Sequence, residues 1–267
     1  GQSIYVGFTY TKGSSFTGDL AIDLVRVEAC ASCAAPSAFA VDSVNSSAAW
    51  LSWTPNGTET SWNVEYGPSG FAQGSGTTVT VSTDSVYITG LTAATGYDVY
   101  VQADCGTDQS MMVGPASFLT PFNSPQGVTC TTGNPSFALD DDLESQGGWT
   151  GDFGNWIAGG PFGTPSTGTG PLGAHSGSGY FFFETSTFGP STGTIVSPLV
   201  DLTANTGSAE LSFFLHAFGA TTGTLDVGVS TDGGITFTNV FSWTGPYQSA
   251  QADAYASVGI DITSYLG

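Results

Sequence analysis

The sequence predicts an all-β chain that folds as two β-sandwiches. Apolar and polar residues alternate with a period of two in many short stretches, and no stretch shows the spacing of an amphipathic helix. Clusters of Gly, Ser, Thr and Pro separate these stretches, and the chain has 38 glycines. At 267 residues the chain is long enough for two domains of the usual ~100–200 residues each.

The charge balance is strongly acidic and restricts the partners of this chain. There are 22 Asp and Glu residues against two basic residues, Lys12 and Arg26, which gives a net charge of -20. Such a surface repels nucleic acid and anionic membranes, because phosphate binding needs clustered Lys and Arg. We interpret the charge as that of a soluble extracellular surface, with cation binding as the alternative.

Neither a membrane span nor a leader segment is expected. The most apolar stretch, residues 211–218, is strand-like and contains His216. The first residues lack the basic and apolar regions of a signal peptide, so we expect an internal or processed segment of a secreted protein.

The first domain is expected at residues 31–122. Its strands are predicted at residues 48–53, 62–66, 77–81, 85–88 and 97–103, and turn clusters such as 54–57 and 67–70 separate them. Strands of this length and spacing, over about 90 residues, are typical of an Ig-like sandwich.

Specific residues of this segment resemble a fibronectin type III domain. They are Pro36, Leu51-Ser52-Trp53, Val64-Glu65-Tyr66-Gly67 and Ile88-Thr89-Gly90-Leu91, followed by Tyr97-Asp98-Val99-Tyr100-Val101. The resemblance implies that Trp53 is buried and that Leu91 and Tyr97 form the corner before the penultimate strand. The ending, at residues 105–106 and 114–120, resembles the version found in secreted proteins of Bacteroidetes-type bacteria, which implies an extracellular or cell-surface location.

After a linker at residues 123–129, the remainder of the chain is also predicted to be β. We expect strands at residues 180–184, 193–197, 210–218, 224–230, 235–242 and 258–262. The loop at 159–179 consists almost entirely of small residues, and its length favours a binding or contact role.

Residues 130–267 followed by residues 1–30 resemble one MAM-like jelly roll, split across the chain termini. The matching pieces are Leu143-Glu144-Ser145 before Trp149 and Trp156, Leu199-Val200-Asp201-Leu202, residues 230–237, Ile260-Asp261-Ile262 and residues 18–23. In the first 30 residues, two alternating stretches at 3–11 and 20–28 form a long-looped strand pair. The resemblance implies that this pair completes the roll of a neighbouring copy, through the side chains of Ile4, Val6, Phe8, Leu20, Ile22 and Leu24.

The four cysteines, at 30, 33, 105 and 130, allow three pairings. In a seven-stranded sandwich the start of the first strand and the end of the sixth lie at one pole, which favours Cys33 with Cys105. Cys130 opens the jelly roll and Cys30 closes it, so we expect these two to form a bridge between copies. The alternative, a redox or metal motif at residues 30–33, lacks a second cysteine pair or a nearby histidine.

An acidic turn at residues 140–144 is the best candidate ion site. The acidic cluster comprises Asp140-Asp141-Asp142 and Glu144, with Asp152 in addition, and its carboxylate oxygens suit Ca²⁺. Asp140, Asp142 and Glu144 are the predicted ligands. MAM-like rolls often carry a cation where the first strand meets the last, and this resemblance adds Asp19 and Asp23 from the completing copy. The alternative is a solvated acidic turn without a cation.

Catalysis is not expected from this sequence. His175 lies in a small-residue loop and His216 among phenylalanines, and neither is flanked by a nucleophile or metal pattern. Residues 230–237 fit the Asp-box pattern, whose Asp and Ser side chains hold a tight hairpin while the aromatic residue packs beneath. Ser43 and Ser85 lie in Asp-Ser-Val motifs that resemble Bacteroidetes O-glycosylation sites, and Asn45 and Asn56 begin N-glycosylation sequons.

Two functions remain open at the level of sequence. The first is a non-catalytic repeat or protomer of an extracellular fibre, tube or adhesin, joined head-to-tail to other copies of itself. The second is a carbohydrate- or protein-binding accessory module of a secreted hydrolase. For the second, Trp149, Trp156 and Trp243 are candidates for stacking on sugars, although packing in the core is the stronger interpretation.

Overall fold

The computed structural model describes residues 6–9, 25, 33–160, 162–184 and 192–266, and its regular structure there is β-strand apart from one 3-10 turn. This confirms the all-β class. In chain order the strands are β1 (Ser37–Asn45), β2 (Ala48–Thr54), β3 (Trp62–Pro68), β4 (Thr77–Val81), β5 (Ser85–Thr89), β6 (Gly96–Ala103), β7 (Val113–Leu119), β8 (Thr150–Gly151), β9 (Trp156–Gly159), β10 (Tyr180–Phe183), β11 (Ile195–Val196), β12 (Glu210–Leu215), β13 (Thr224–Val229), β14 (Thr238–Thr244) and β15 (Ala256–Asp261), and the 3-10 turn is Thr263–Tyr265.

The first domain is a sandwich of seven strands, β1 to β7. A three-stranded sheet in the order β1-β2-β5 packs on a four-stranded sheet in the order β4-β3-β6-β7. Every second residue of β6 is buried, as expected for a strand with one face in the core. The buried apolar core draws on both sheets and consists of Cys33, Ala49, Leu51, Trp53, Trp62, Val64, Val86, Ile88, Leu91, Tyr97, Val99, Val101 and Ala103.

Three expectations for this domain are confirmed. Trp53 is 4% exposed and packs against Trp62, with ring centroids 6.0 Å apart. Leu91 and Tyr97 are buried at the turn before β6, where the backbone N–H of Thr92 donates to the Tyr97 hydroxyl at 3.0 Å. Cys33 and Cys105 form the predicted disulfide, with their Cα atoms 5.8 Å apart.

The second domain contains β8 to β15 and is built differently. Its strands form four antiparallel pairs: β8 with β11, β9 with β10, β12 with β15, and β13 with β14. Its main buried cluster consists of Phe122, Val258 and Ile260, around which partly buried side chains of β12, β14 and β15 pack. Among the described residues, no helix has the length and hydropathy required to cross a bilayer.

Several predicted strands end earlier or begin later than the sequence indicates. The strand predicted at 210–218 stops at Leu215, because the backbone of Ala217 bonds instead to Gln248 and Tyr247. The strand predicted at 235–242 begins at Thr238, because the Asp232 carboxylate holds the preceding residues in a turn.

Four strands of the structure, β1, β7, β8 and β9, are not predicted by the sequence. β1 is bulged, which breaks the alternation, and Gly114-Pro115 interrupts the pattern of β7.

The predicted linker runs along the edge of the second domain. The Gly259 N–H of β15 donates to the Asn123 carbonyl at 2.8 Å. The N–H groups of Gln126 and Gly127 donate to the Glu210 carboxylate at 2.7 and 2.9 Å. Phe122, placed by the sequence in the first domain, is 3% exposed and buries its ring in the second.

Candidate functional site

The candidate functional site is the set of strand edges in the second domain that have no neighbour among the described residues, apart from the edge of β15, along which the linker runs. Among the described residues, each strand from β8 to β15 has one hydrogen-bonded strand neighbour. A two-stranded unit is marginally stable in water, and three or more strands with an apolar face are needed for independent stability. An unpaired edge also presents backbone N–H and C=O groups to any chain that can add a strand.

Exposed apolar side chains accompany these open edges. Six large apolar side chains of the second domain are more than half exposed to solvent: Phe137, Phe162, Leu172, Leu199, Phe214 and Ile235. In the first domain only Met111 among the described residues reaches that level. Between the two domains, the described large apolar side chains that are more than half exposed therefore lie mostly on the second.

The predicted assembly residues are only partly described. Val6 and Phe8 are 54% and 59% exposed, and residues 6–9 are not in a strand. Ile4, Leu20, Ile22 and Leu24 lie outside the described residues, as do Asp19, Asp23 and Cys30. The pairing of these residues with a neighbouring copy stays a prediction.

Cys130 lies where the linker meets the second domain. It is partly buried, its thiol is not in a disulfide within the described part of the chain, and its backbone forms an isolated antiparallel bridge with Gly207. The bridge to Cys30 stays a prediction.

The carboxylates of the acidic turn at 140–144 accept hydrogen bonds from the turn itself and from neighbouring loops. Asp142 accepts the Glu144 N–H at 3.2 Å, and Glu144 accepts both the N–H and the hydroxyl of Ser178. Hydrogen bonds from Ser178, first from its hydroxyl and then from its N–H, lower the pKa of Glu144 below its ordinary value. Asp141, not among the predicted ligands, accepts the Trp149 indole N–H at 2.9 Å.

The structure does not bring three potential ligands together at this turn. Within the described ranges, no three His, Cys, Asp or Glu side chains lie close enough to hold a metal ion. The expected Ca²⁺ site also requires Asp19 and Asp23, so it stays a prediction.

The Asp-box turn at 230–237 has the predicted hydrogen bonds. The Asp232 carboxylate accepts the Ser230 hydroxyl at 2.7 Å and the N–H groups of Ile235 and Thr236 at 3.1 and 2.9 Å. These bonds, led by that of the Thr236 hydroxyl, hold the pKa of Asp232 far below its usual range. The expected packing of the aromatic residue is only partial, because Phe237 occupies the space that a Cβ at Gly228 would need but stays 43% exposed.

Both histidines pack among aromatic rings. His175 stacks on Phe214, with ring centroids 3.5 Å apart, and meets Tyr255 edge-on at 5.8 Å. His216 lies 5.2 Å from Tyr255 and neither ring nitrogen makes a hydrogen bond of normal geometry. Burial lowers the pKa of His216, and the charge of Asp253 offsets this in part.

A cavity of about 340 Å³ lies beside these rings, lined by residues that include Leu172, His175, Asp253 and Tyr255. The Tyr255 hydroxyl donates to the Gly173 carbonyl at 2.8 Å. Within the described ranges, neither histidine is hydrogen-bonded to a Ser, Thr or Cys side chain, which is the contact that would activate a nucleophile.

The three candidate sugar-stacking tryptophans are partly buried and pack against other aromatic side chains. Trp149 and Trp156 meet Phe181 and Phe183 edge-on at 5.6 and 5.5 Å, and Trp243 meets Phe122 at 5.0 Å. All three indole N–H groups are hydrogen-bonded, to Asp141, Gly193 and Gly245 respectively. These are the contacts expected for core residues.

Sequence reasoning missed an exposed aromatic pair on the first domain. Trp50 of β2 and Tyr87 of β5 are direct cross-strand partners, 43% and 49% exposed, with ring centroids 5.6 Å apart. The sequence contains a signal for this, because Trp50 and Trp53 are an odd number of residues apart. If Trp53 points into the core, Trp50 points away from it.

Three of the four predicted glycosylation positions, Ser43, Asn45 and Ser85, lie on this same sheet, and Asn56 lies in the loop after β2. Ser43 is exposed in β1 opposite Trp50, and Ser85 begins β5, two residues before Tyr87. Asn45 and Asn56 are both exposed. Modification at these positions stays a prediction.

Comparison with known proteins identifies the first domain alone. The family model of the fibronectin type III domain matches residues 34–113. None of the curated proteins matches the chain.

Solved structures similar to this chain cover about a third of it. The FN1-FN3 domains of chicken CNTN1 are 20% identical over 34% of this chain and 31% of that one, with a TM-score of 0.32. The fn3 domain of the human collagen alpha-1(XX) chain is 25% identical over 35% of this chain and 90% of that one, with a TM-score of 0.31. The FN5 domain of Drosophila Lar is 21% identical over 33% of this chain and 96% of that one, with a TM-score of 0.29.

Such domains typically serve as structural or binding modules, and in disulfide-bonded form they are typical of extracellular proteins. The family match covers the sandwich whose buried Trp53, Tyr97 corner and strand order are described above. Residues 34–113 are a fibronectin type III domain.

Proposed function

We propose that this chain is a non-catalytic structural module of an extracellular fibre, tube or adhesin, in which residues 1–30 of one copy complete the second domain of another. The observation that carries the proposal is the division of the second domain into two-stranded sheets. Its main buried cluster contains three residues, and one of them, Phe122, lies before the first strand of this domain. More strands would give these sheets the width that independent stability requires.

The chemistry of strand addition fits the segments concerned. An added strand supplies backbone hydrogen bonds along an open edge, and its alternate side chains fill the apolar face. Val6 and Phe8 are exposed in the single chain and lie in one of the two alternating stretches of residues 1–30. Burial of an apolar side chain of this size contributes about 1.5–3 kcal/mol, and the six apolar side chains of the two stretches together would offset the entropy lost on association, about 4–15 kcal/mol.

Contacts of this kind are head-to-tail. A head-to-tail contact uses two different surfaces, so it need not close and produces a filament when its rotation does not return to the start. The same contact can form between copies that are linked by peptide bonds and between separate chains that exchange strands.

The experiment that tests this function is a comparison of size in solution. Phe8→Asp and Ile22→Asp place a charge on the apolar side of each alternating stretch, and Thr9→Asp places the same charge on the opposite side. Sedimentation velocity over a range of concentrations should show assembly of the parent chain and of Thr9→Asp, and smaller species for the other two. Equal sizes for all four chains would count against the proposal.

A second candidate function, a carbohydrate-binding accessory module of a secreted hydrolase, is favoured by one observation, the exposed pair Trp50 and Tyr87. Saturable sugar binding by a chain that stays monomeric would support it.

A further inference from the structure

The outer face of the sheet β1-β2-β5 carries two aromatic rings side by side. Trp50 and Tyr87 are direct partners on adjacent strands, with their rings tilted by 39° and their centroids 5.6 Å apart. Both lie on the face turned away from the buried residues Leu51, Val86 and Ile88 of the same strands. Nearly half of each residue remains exposed, although the domain buries the two tryptophans Trp53 of β2 and Trp62 of β3.

Neutral polar side chains surround the two rings. The strand register places Ser43 opposite Trp50, and Ser52 opposite Ser85, on this same face. Asn45 extends its amide to within 3.4 Å of the Tyr87 hydroxyl, and Thr89 follows two residues after Tyr87. These positions hold hydroxyls and an amide, which both donate and accept hydrogen bonds, and the one charged side chain on the three strands is Asp42, which is exposed in the β1 bulge between Val41 and Ser43.

We propose that this face binds a neutral glycan, with a sugar ring stacked on Trp50 and Tyr87 and its hydroxyl groups bonded to the surrounding serine, threonine and asparagine side chains. A sugar ring presents C–H groups on its faces and hydroxyls around its edge. An aromatic ring flanked by neutral donors and acceptors matches both parts of that surface, because its negative face attracts the weakly positive C–H groups.

Other ligands fit the face less well. A stable protein interface buries about 800 Å² on each partner, whereas the apolar surface here is limited to two rings with hydroxyls around them. Nucleic acid is repelled by a chain of net charge -20. A cationic ligand is the closest competitor, because Asp42 is exposed in the β1 bulge next to Ser43, and the choline titration below distinguishes it from a sugar.

The proposal concerns the fibronectin type III domain and does not depend on how the second domain is completed. The two can therefore be tested separately, and the failure of one leaves the other in place.

The test is calorimetric titration of the full chain with defined sugars. The probes are hexaoses of β-1,4-linked glucose, mannose and N-acetylglucosamine, with choline as the cationic alternative. Trp50→Ala and Tyr87→Ala should each weaken binding by about three- to tenfold, the scale of one lost aromatic stacking contact, and Trp50→Phe should retain most of it. Phe162→Ala, which removes an exposed ring from the second domain, is the matched control and should bind like the parent chain.

Circular dichroism establishes that each variant is folded before titration. Saturable binding of at least one hexaose that Trp50→Ala and Tyr87→Ala weaken and Phe162→Ala does not would support the proposal. Binding of choline alone, binding that is equal in all variants, or no saturable binding of any hexaose would overturn it.

Discussion

At the scale of single residues, Phe122 couples the two domains. It follows the last strand of the fibronectin type III domain, yet its ring stacks on Tyr247 at 4.5 Å and meets Trp243 at 5.0 Å. It is 3% exposed and belongs to the main buried cluster of the second domain. The second domain therefore depends on a side chain from outside its own strands.

We expect Phe122→Ala to destabilise the second domain by about 3–5 kcal/mol, the usual cost of emptying a buried phenylalanine site. Leu119→Ala, at a residue that is 38% exposed at the end of β7, is the matched control and should have a much smaller effect. Urea unfolding followed by tryptophan fluorescence measures both. Identical midpoints for the two variants would contradict the role given to Phe122.

The residues that could be predicted from the sequence are those that the fibronectin type III pattern places. Trp53, Tyr97 and the Cys33–Cys105 pair were found because the type III resemblance fixes their places in the sandwich. Glu65 was missed as a structural residue: it is 2% exposed and its carboxylate accepts the N–H groups of Gly74 and Gly76 at 2.7 and 2.8 Å. The two N–H groups that it accepts lie in the turn before β4, and the sequence does not indicate which side chain will bond to that turn.

At the scale of elements, the linker at 123–129 behaves as part of the second domain. Gly259 in β15 allows its close approach, because a Cβ at that position would lie 2.6 Å from the Pro125 Cα. The Gly259 N–H reaches the Asn123 carbonyl at the same place. A composition rich in Pro, Ser and Gly predicts a connecting segment but does not reveal that the segment is docked.

We expect Gly259→Ala to displace the linker from β15, because the new methyl group would overlap the backbone of Pro125. Amide hydrogen exchange at Gln126 and Gly127, which donate to Glu210, should become faster. Gly160→Ala adds the same methyl group where nothing lies within 4 Å and should leave these amides unchanged. Unchanged exchange in Gly259→Ala would contradict the docked linker.

The Asp-box turn gives the second domain part of its acid sensitivity. Hydrogen bonds lower the pKa of Asp232 below its ordinary value of 3.8, so the ionised carboxylate stabilises the fold above that pH. This contribution is lost as the pH falls below 3.8 and through the folded-state pKa.

Asp232→Asn should therefore be less stable than the parent chain near neutral pH and should lose less stability on acidification. Thermal unfolding of both chains from neutral to acid pH measures this difference. Asp42→Asn, in the first domain, is the control and should leave unfolding of the second domain unchanged. A parallel pH dependence of Asp232→Asn and the parent chain would contradict the role of the turn.

At the scale of the whole molecule, the charge of each copy opposes assembly. Copies of net charge -20 repel one another, and salt screens that repulsion over about 10 Å at 0.1 M. We expect the fraction of assembled chain, measured by sedimentation, to rise with NaCl concentration. Assembly that weakens steadily as NaCl is added would contradict a joint held by apolar burial and backbone pairing.

The proposed Ca²⁺ site is tested in the same way. At equal ionic strength, CaCl₂ should favour assembly more than NaCl if Asp140, Asp142 and Glu144 bind the ion together with Asp19 and Asp23 of another copy. Asp140→Asn combined with Asp142→Asn should remove that difference. Equal assembly in the two salts would leave the acidic turn without a calcium role.

The sequence predicts the two domains unequally. Strands β2 to β6 follow from alternation because each has one face in a closed core, as Leu51, Val64 and Val99 show. The two-residue strands β8 and β11 carry no periodic signal, and β9 and β10 are paired through a long loop of small residues. The open edges of the second domain could be recognised only from the structure, since alternation does not report how many neighbours a strand has.

The bridge between Cys30 and Cys130 gives the most direct test of completion across copies. Chains labelled with heavy and light isotopes would be mixed in equal amounts while reduced and unassembled, then assembled and oxidised. Mass spectrometry of the disulfide-linked peptides should find mixed heavy-light pairs as often as like pairs if residues 1–30 complete another copy. Bridges that join only peptides of the same isotope would place residues 1–30 on their own chain and contradict the account.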